Sequence, residues 1–314
     1  MGYVGRRGKD SKVRWLRPVK FKPLKLNFMN IRPWVLYTFV TTLFWGVWGA
    51  FIEIPEKAGF PATLGYCVWA LTMIPCLLVV LWLGKWKMDF DRRSIVTGSM
   101  VGILGALGQL ILFQALRTGP AYMVFPIISL FPVITVILSA VFLKERTSRK
   151  QWWGIGLAMA GILCLSYQPP DLTNFDGYLW LILSIVVFLM WGIQAFAMKF
   201  ANESMRAESI FFYMTLSAVL LIPVAVLMTD LSQPINWGFE GPYLASIIQV
   251  FNAIGALTLV YALRYGKAII VVPITALAPV LTIIISLLLY SVVPHTVVLA
   301  GMLMAVGAIY ILAE

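Results

Sequence analysis

Few side chains in this sequence can do chemistry in an apolar environment, and most of those are uncharged. Glu53 is the only acid inside the long apolar runs. It lies eight residues from Trp45, seven from Gly46 and four from Gly49, so a helix places all of them on one face. An ionisable group within a membrane segment is costly and marks a function by default. The function here is binding a substrate amine or carrying a proton. The plainer alternative is an acid reaching the outer interface beside Glu56 and Lys57. Amides lie deeper: Gln109, Gln114, Gln194, Gln249 and Asn252. In hydrocarbon an amide needs a partner, which is either a solute or a neighbouring helix. Gln109 (beside Gly108), Gln194 (three residues after Trp191) and Asn252 are assigned to the solute. Trp45, Trp48, Trp191 and Tyr122 form a candidate aromatic wall, whereas Trp34 and the pair Trp152-Trp153 end their runs and read as interfacial belt residues. Pro126, Pro132, Pro273 and Pro279 interrupt two further runs and are candidate gating hinges.

Other chemistries lack their residues. Cys67, Cys76 and Cys164 all sit within apolar runs, without metal-ligand spacing, and His295 is the single histidine. No metal site or cofactor is expected. There is no nucleophile–base pair and no phosphate-binding loop, so catalysis and ATP hydrolysis are not implied.

The elements that must position these residues follow from composition. Of 314 residues 61% are hydrophobic and 12% charged, with mean hydropathy +0.90. Such a chain has too little polar surface to coat a soluble globule. Spanning a bilayer takes about 20 apolar residues in a helix that satisfies its own backbone. Ten such helices are read at 34–55, 61–83, 94–116, 120–143, 152–168, 178–198, 209–229, 242–263, 268–290 and 296–313. The fold class is an all-α integral membrane protein.

Charge tests the count. The net charge of +11 comes with no nucleic-acid-binding motif, so nucleic acid is not an expected partner. Ten lysines and arginines precede Trp34. Most of the others fall in alternate loops, at Lys85, Lys87, Arg92, Arg93, Lys144, Arg146, Arg149, Lys150, Lys199, Arg206, Arg264 and Lys267. Ten spans put 22 of the 24 on one side, leaving only Lys57 and Arg117 opposite. Cytoplasmic loops carry such an excess, so both termini are placed in the cytoplasm and the protein in the cell's plasma or inner membrane. The basic tail, residues 1–33, reads as an orientation signal that touches anionic lipid, not as a cleaved targeting segment.

The sequence repeats itself. Shifted by 147 positions, 106–165 lies on 253–312 with 22 identities in 60. The matches include Gly108 with Gly255, Arg117 with Arg264, Pro126 with Pro273, Pro132 with Pro279, Thr135 with Thr282 and Gly154 with Gly301. Trp45-Gly46 lies on Trp191-Gly192 at a shift of 146, and Pro75 on Pro223 at 148. The halves are 34–168 and 169–314. Five helices per copy is an odd number, so the second copy enters the membrane from the opposite side. Inverted repeats around a midplane site are a signature of secondary transporters.

These residues resemble the EamA-type permeases of the drug/metabolite transporter superfamily. The resemblance rests on the two five-helix copies, the Trp-Gly pair, and the first-repeat signature Lys144-Glu145-Arg146-Thr147 followed by Gln151, Gly154 and Gly161. The second copy has Ser291-Val292-Val293-Pro294 at the equivalent turn and lacks the acid, which makes Glu145 a loop anchor and not part of a symmetric pathway. The resemblance implies a permease working by alternating access, with a small-molecule substrate and membrane lipids as partners. No Lys or Arg lies within a span, so a strongly anionic substrate is disfavoured. A neutral or zwitterionic metabolite, such as an amino acid or sugar, is expected. Lipophilic efflux is the alternative within transport, and a non-transporting scaffold the alternative outside it. Proton coupling would rest on Glu53. Nothing in the sequence sets the oligomeric state.

Overall fold

The computed structural model describes residues 32–119, 121–167, 177–290 and 294–313. The basic tail ahead of Arg32 and the turn at 291–293 lie outside the described residues. Every regular element described is helical: α1 (Pro33–Phe51), α2 (Glu53–Lys57), α3 (Ala62–Leu83), α4 (Arg92–Thr118), α5 (Ala121–Ser129), α6 (Phe131–Phe142), α7 (Arg149–Leu165), α8 (Leu179–Asn202), α9 (Ala207–Leu220), α10 (Ile222–Leu227), α11 (Leu244–Tyr265), α12 (Ala268–Thr275), α13 (Pro279–Tyr290) and α14 (Thr296–Ala313). They follow the ten expected segments, with ends within four residues of those read from hydropathy. Eight segments are long and apolar enough to cross a membrane. α7 and α14, with 17 and 18 residues, are shorter and pack against each other.

Proline explains where segments break. It has no N–H to give and its ring clashes with the carbonyl four residues back. Pro55 thus parts α2 from α1 at Ile52, and Pro223 parts α10 from α9 at Leu221. Pro126 and Pro132 flank the break between α5 and α6 at Leu130. Pro273 and Pro279 flank the break at 276–278 between α12 and α13.

The two copies interlock by the same contacts made twice. At Gly46 of α1 a Cβ would lie 2.4 Å from Leu281 Cβ and 3.2 Å from the Ala278 carbonyl. At Gly192 of α8 it would lie 2.5 Å from Ile134 Cβ and 2.8 Å from the Phe131 carbonyl. Ala278 and Leu281 are the repeat mates of Phe131 and Ile134. Only glycine lets helix backbones approach this closely. The approach is then pinned: Thr282 Oγ1 donates to the Gly46 carbonyl at 2.9 Å, and its mate Thr135 donates to the Gly192 carbonyl at 2.9 Å. Both hydroxyls satisfy carbonyls of the other copy's first helix.

Thr135→Val and Thr282→Val are each expected to destabilise the protein by ~0.6–2 kcal/mol, the range for interhelical hydrogen bonds in membranes. The two losses should add, because the sites share no partner. Unfolding of both single variants and the double variant in mixed micelles checks this. Wild-type stability in either single variant would show that its bond carries nothing.

Candidate functional site

α1, α3 and α11 meet around one amide. Gln249 of α11 is buried, at 5% exposure, and uses both ends of its side chain. Its Oε1 accepts from Trp48 Nε1 at 3.1 Å and from Asn252 Nδ2 at 3.3 Å. Its Nε2 donates to the Gly65 carbonyl of α3 at 3.3 Å. One turn of helix separates Asn252 from Gln249, so both face the same seam. Toward the opposite end of the seam Thr41 and Thr258 pair through their hydroxyls at 2.9 Å.

Two indoles on the helices that meet here, Trp45 in α1 and Trp69 in α3, hold buried N–H groups without a hydrogen-bond partner. Trp45 packs against Gly255, where a Cβ would come within 2.4 Å of its ring, and its Nε1 is buried without an acceptor. Trp69 of α3, edge-on to Tyr66 with centroids 5.4 Å apart, has the same deficit at its Nε1. Indole N–H donates only. A buried donor without an acceptor is expensive, and native structures rarely leave one so.

The mirror-related half has the same frame with different chemistry. Trp191 lies on Gly108 as Trp45 lies on Gly255, and Phe131 meets its ring edge-on at 6.1 Å. Gln194, the mate of Trp48, lies over Gly105, where a Cβ would fall 2.1 Å from its Nε2. Gly102 and Gly105 are the mates of Gln249 and Asn252. One junction therefore carries its amides on α11 and the other carries one on α8, so duplication has left a symmetric frame with different polar chemistry at its two junctions.

Of the expected site residues, the structure brings Trp45, Trp48 and Asn252 to one junction, and Trp191 and Gln194 to its mirror image. Gln109 is half-buried on α4 beside Gly108. The Tyr122 side chain lies outside what the structure describes. Glu53 is not brought to the junction: its side chain is 68% exposed and pairs with Lys57 at 2.6 Å, one turn on. Pro55 ends α1 before Glu53, which turns the residue onto a separate short helix. Glu53→Gln is accordingly expected to leave transport within about twofold of wild type, as for an exposed ion pair worth about 0–1 kcal/mol. Loss of pH-gradient dependence in that variant would return the proton to Glu53. Gln249 and Trp69 join the site without having been assigned to it from sequence. The three-residue spacing of Gln249 and Asn252 is a signal for the first. Trp69 has none, because α3 is apolar all round and marks no face.

At the cation-rich end a charged anchor ties the copies. Glu145, in the turn after α6, accepts from the N–H groups of Ala268 and Ile269 at 3.1 Å each, at the start of α12. Lys199 Nζ lies 3.9 Å from it and donates to the carbonyls of Leu263 and Gly266 at the end of α11. Acid meets a helix N-terminus and base a C-terminus, the arrangement helix dipoles favour. Gln151 completes the same turn through a capping box with Ser148.

Comparison with known proteins adds kinship. Over 134 residues the chain is 32% identical to the uncharacterised protein MJ1333.1 of Methanocaldococcus jannaschii, covering 42% of this chain and 95% of that one. That relative has the length of one repeat. The chain is 24% identical over 240 residues to the pseudopaline exporter CntI of Pseudomonas aeruginosa, covering 75% of this chain and 81% of that one. A crystal structure with 17% identity superposes with a TM-score of 0.74, over 88% of this chain and 94% of its own, a likeness of fold. The model of the EamA-like transporter family matches twice, at residues 32–167 and 178–313. With both matches falling on the two five-helix copies that the Gly–Thr contacts interlock, the chain belongs to the EamA-like transporter family.

Proposed function

We propose that this protein is a secondary permease that carries a small neutral or zwitterionic metabolite, of the amino-acid or sugar kind, by alternating access. The observation that carries the proposal is the pair of buried indole donors, Trp45 on α1 and Trp69 on α3, the two helices that the uncharged Gln249 of α11 joins. A hydroxyl or carboxylate oxygen on the solute supplies the missing acceptors. The amides align it without the charge an anion or cation would require. In this reading the two copies rock about the junction, with hinges at Leu130 and at 276–278. The cation-rich end faces the cytoplasm of a cell whose plasma or inner membrane holds the protein.

Thermal unfolding of purified protein against a panel of amino acids and sugars tests the site. A ligand at 100 times its Kd stabilises by about 2.7 kcal/mol and raises Tm. One compound class should do so, and Trp45→Phe, which keeps the ring and removes the N–H, should weaken the shift. A panel without any shift, or an undiminished shift in Trp45→Phe, would refute this placement of the solute.

A further inference from the structure

A second site lies at the cation-rich end, between α1, α7 and α12. It is a cavity of about 210 Å³ lined by Arg32, Trp34, Gln151, Tyr265, Lys267 and the apolar Ile270. We propose that it binds the phosphate of an anionic membrane lipid, independently of the transported solute.

The rim is basic and the walls are amphipathic. Arg32 and Lys267 are exposed at the mouth, whereas Trp34, Gln151 and Tyr265 are half-buried and Gly266 and Ile270 are buried. Lys267 Nζ is steadied by the Arg146 carbonyl across the α6–α7 turn. The Gln151 Oε1 is already used, accepting from Ser148 N at 3.2 Å and from the Thr147 hydroxyl. The end of the amide left for the cavity is therefore its NH2 donor. Glu145, the nearest acid in this turn, is directed at the α12 N–H groups and at Lys199. Two cations and an amide donor thus surround a space whose lining, among the described residues, holds no carboxylate.

Volume and location select the ligand. The cavity falls below the ~300–1,000 Å³ of sites for drug-sized molecules, which suits a headgroup. Trp34 and Tyr265 are the residue types that settle at headgroup level, and the buried Ile270 gives the cavity an apolar wall. Basic pockets between membrane helices on the cytoplasmic side are suited to phosphate headgroups. The chain's own basic tail is a poor occupant, because residues 1–31 carry nine lysines and arginines against a single acid.

The full-length protein in neutral detergent would be titrated with phosphatidylglycerol or phosphatidylcholine and read by native mass spectrometry. One phosphatidylglycerol should be retained about tenfold more than phosphatidylcholine, and Arg32→Gln with Lys267→Gln should erase the preference. Arg32→Glu alone, at an exposed residue ahead of α1, should do the same if the double variant does not fold. Lys85→Gln with Lys87→Gln removes as much charge from another loop and should leave the preference intact. The proposal is overturned by equal retention of both lipids, by a preference surviving in the Arg32 variants, or by its equal loss in the Lys85 and Lys87 control. Displacement of the lipid by millimolar glycerol phosphate would reassign the site to a soluble phosphate and overturn the lipid.

Discussion

Gln249→Leu is expected to lower transport about tenfold or more while leaving the protein folded, a loss equivalent to about 1.4 kcal/mol in the transport step. Gln249 is the shared partner of Trp48, Asn252 and the Gly65 carbonyl. Leucine fills a similar volume but answers none of them, leaving an indole N–H and an amide N–H unmade in a buried place and the Gly65 carbonyl with its bond inside α3 alone. Unmade groups of this kind cost ~1–3 kcal/mol each in a dry interior, and less where the membrane-unfolded state also finds partners. Trp48 then has nothing to hold its rotamer. Gln249→Glu separates orientation from amide chemistry, because a carboxylate still accepts from Trp48 and Asn252 but cannot donate to Gly65. It should retain more transport than the leucine variant. Equal activity in wild type and Gln249→Leu, at equal reconstituted amounts, would show that this amide only joins helices.

Lys199→Met is expected to destabilise the fold by ~3–5 kcal/mol, the cost of breaking a buried ion pair from one side. Lys199 and Glu145 side chains are 16% and 8% exposed, so a charge left without its partner is largely shielded from water. Two carbonyls ending α11 also lose their donor. Glu145→Gln should cost less, because its amide oxygen still accepts from one of the two α12 N–H groups. Lys199→Met combined with Glu145→Gln should recover part of the loss, since no buried charge is then unpaired. Thermal unfolding in detergent reads all three. Additive losses in the double variant would show that the two residues act separately.

The membrane segments were legible because apolar length alone decides them, and the breaks in the fourth and ninth segments because each carries two prolines at matching positions. The 147-residue shift exposed Thr135 and Thr282 as mates, though not their target, the glycine carbonyls of the opposite copy's first helix. The amide site was half legible. Gln109 and Gln249 are both glutamines on the third helix of their copies, and spacing cannot tell which one points at a tryptophan. Rotation is set by the glycine approaches at Gly255 and Gly46, which are tertiary contacts. The placement of Glu53 was open in the sequence, because an acid near a span's end looks the same whether the helix continues or breaks. Glu145 was recognisable as an anchor from its turn, but Lys199 lies on another helix and no local pattern links them.

The proposed permease carries a neutral or zwitterionic metabolite across a membrane. Uptake of a labelled panel into liposomes holding the purified full-length protein, with and without a pH gradient, tests it most directly. Saturable uptake of one such class is expected, lost in Gln249→Leu and kept in Glu53→Gln. Uptake of none of these metabolites by protein shown to be folded, or accumulation of lipophilic cations alone, would contradict it.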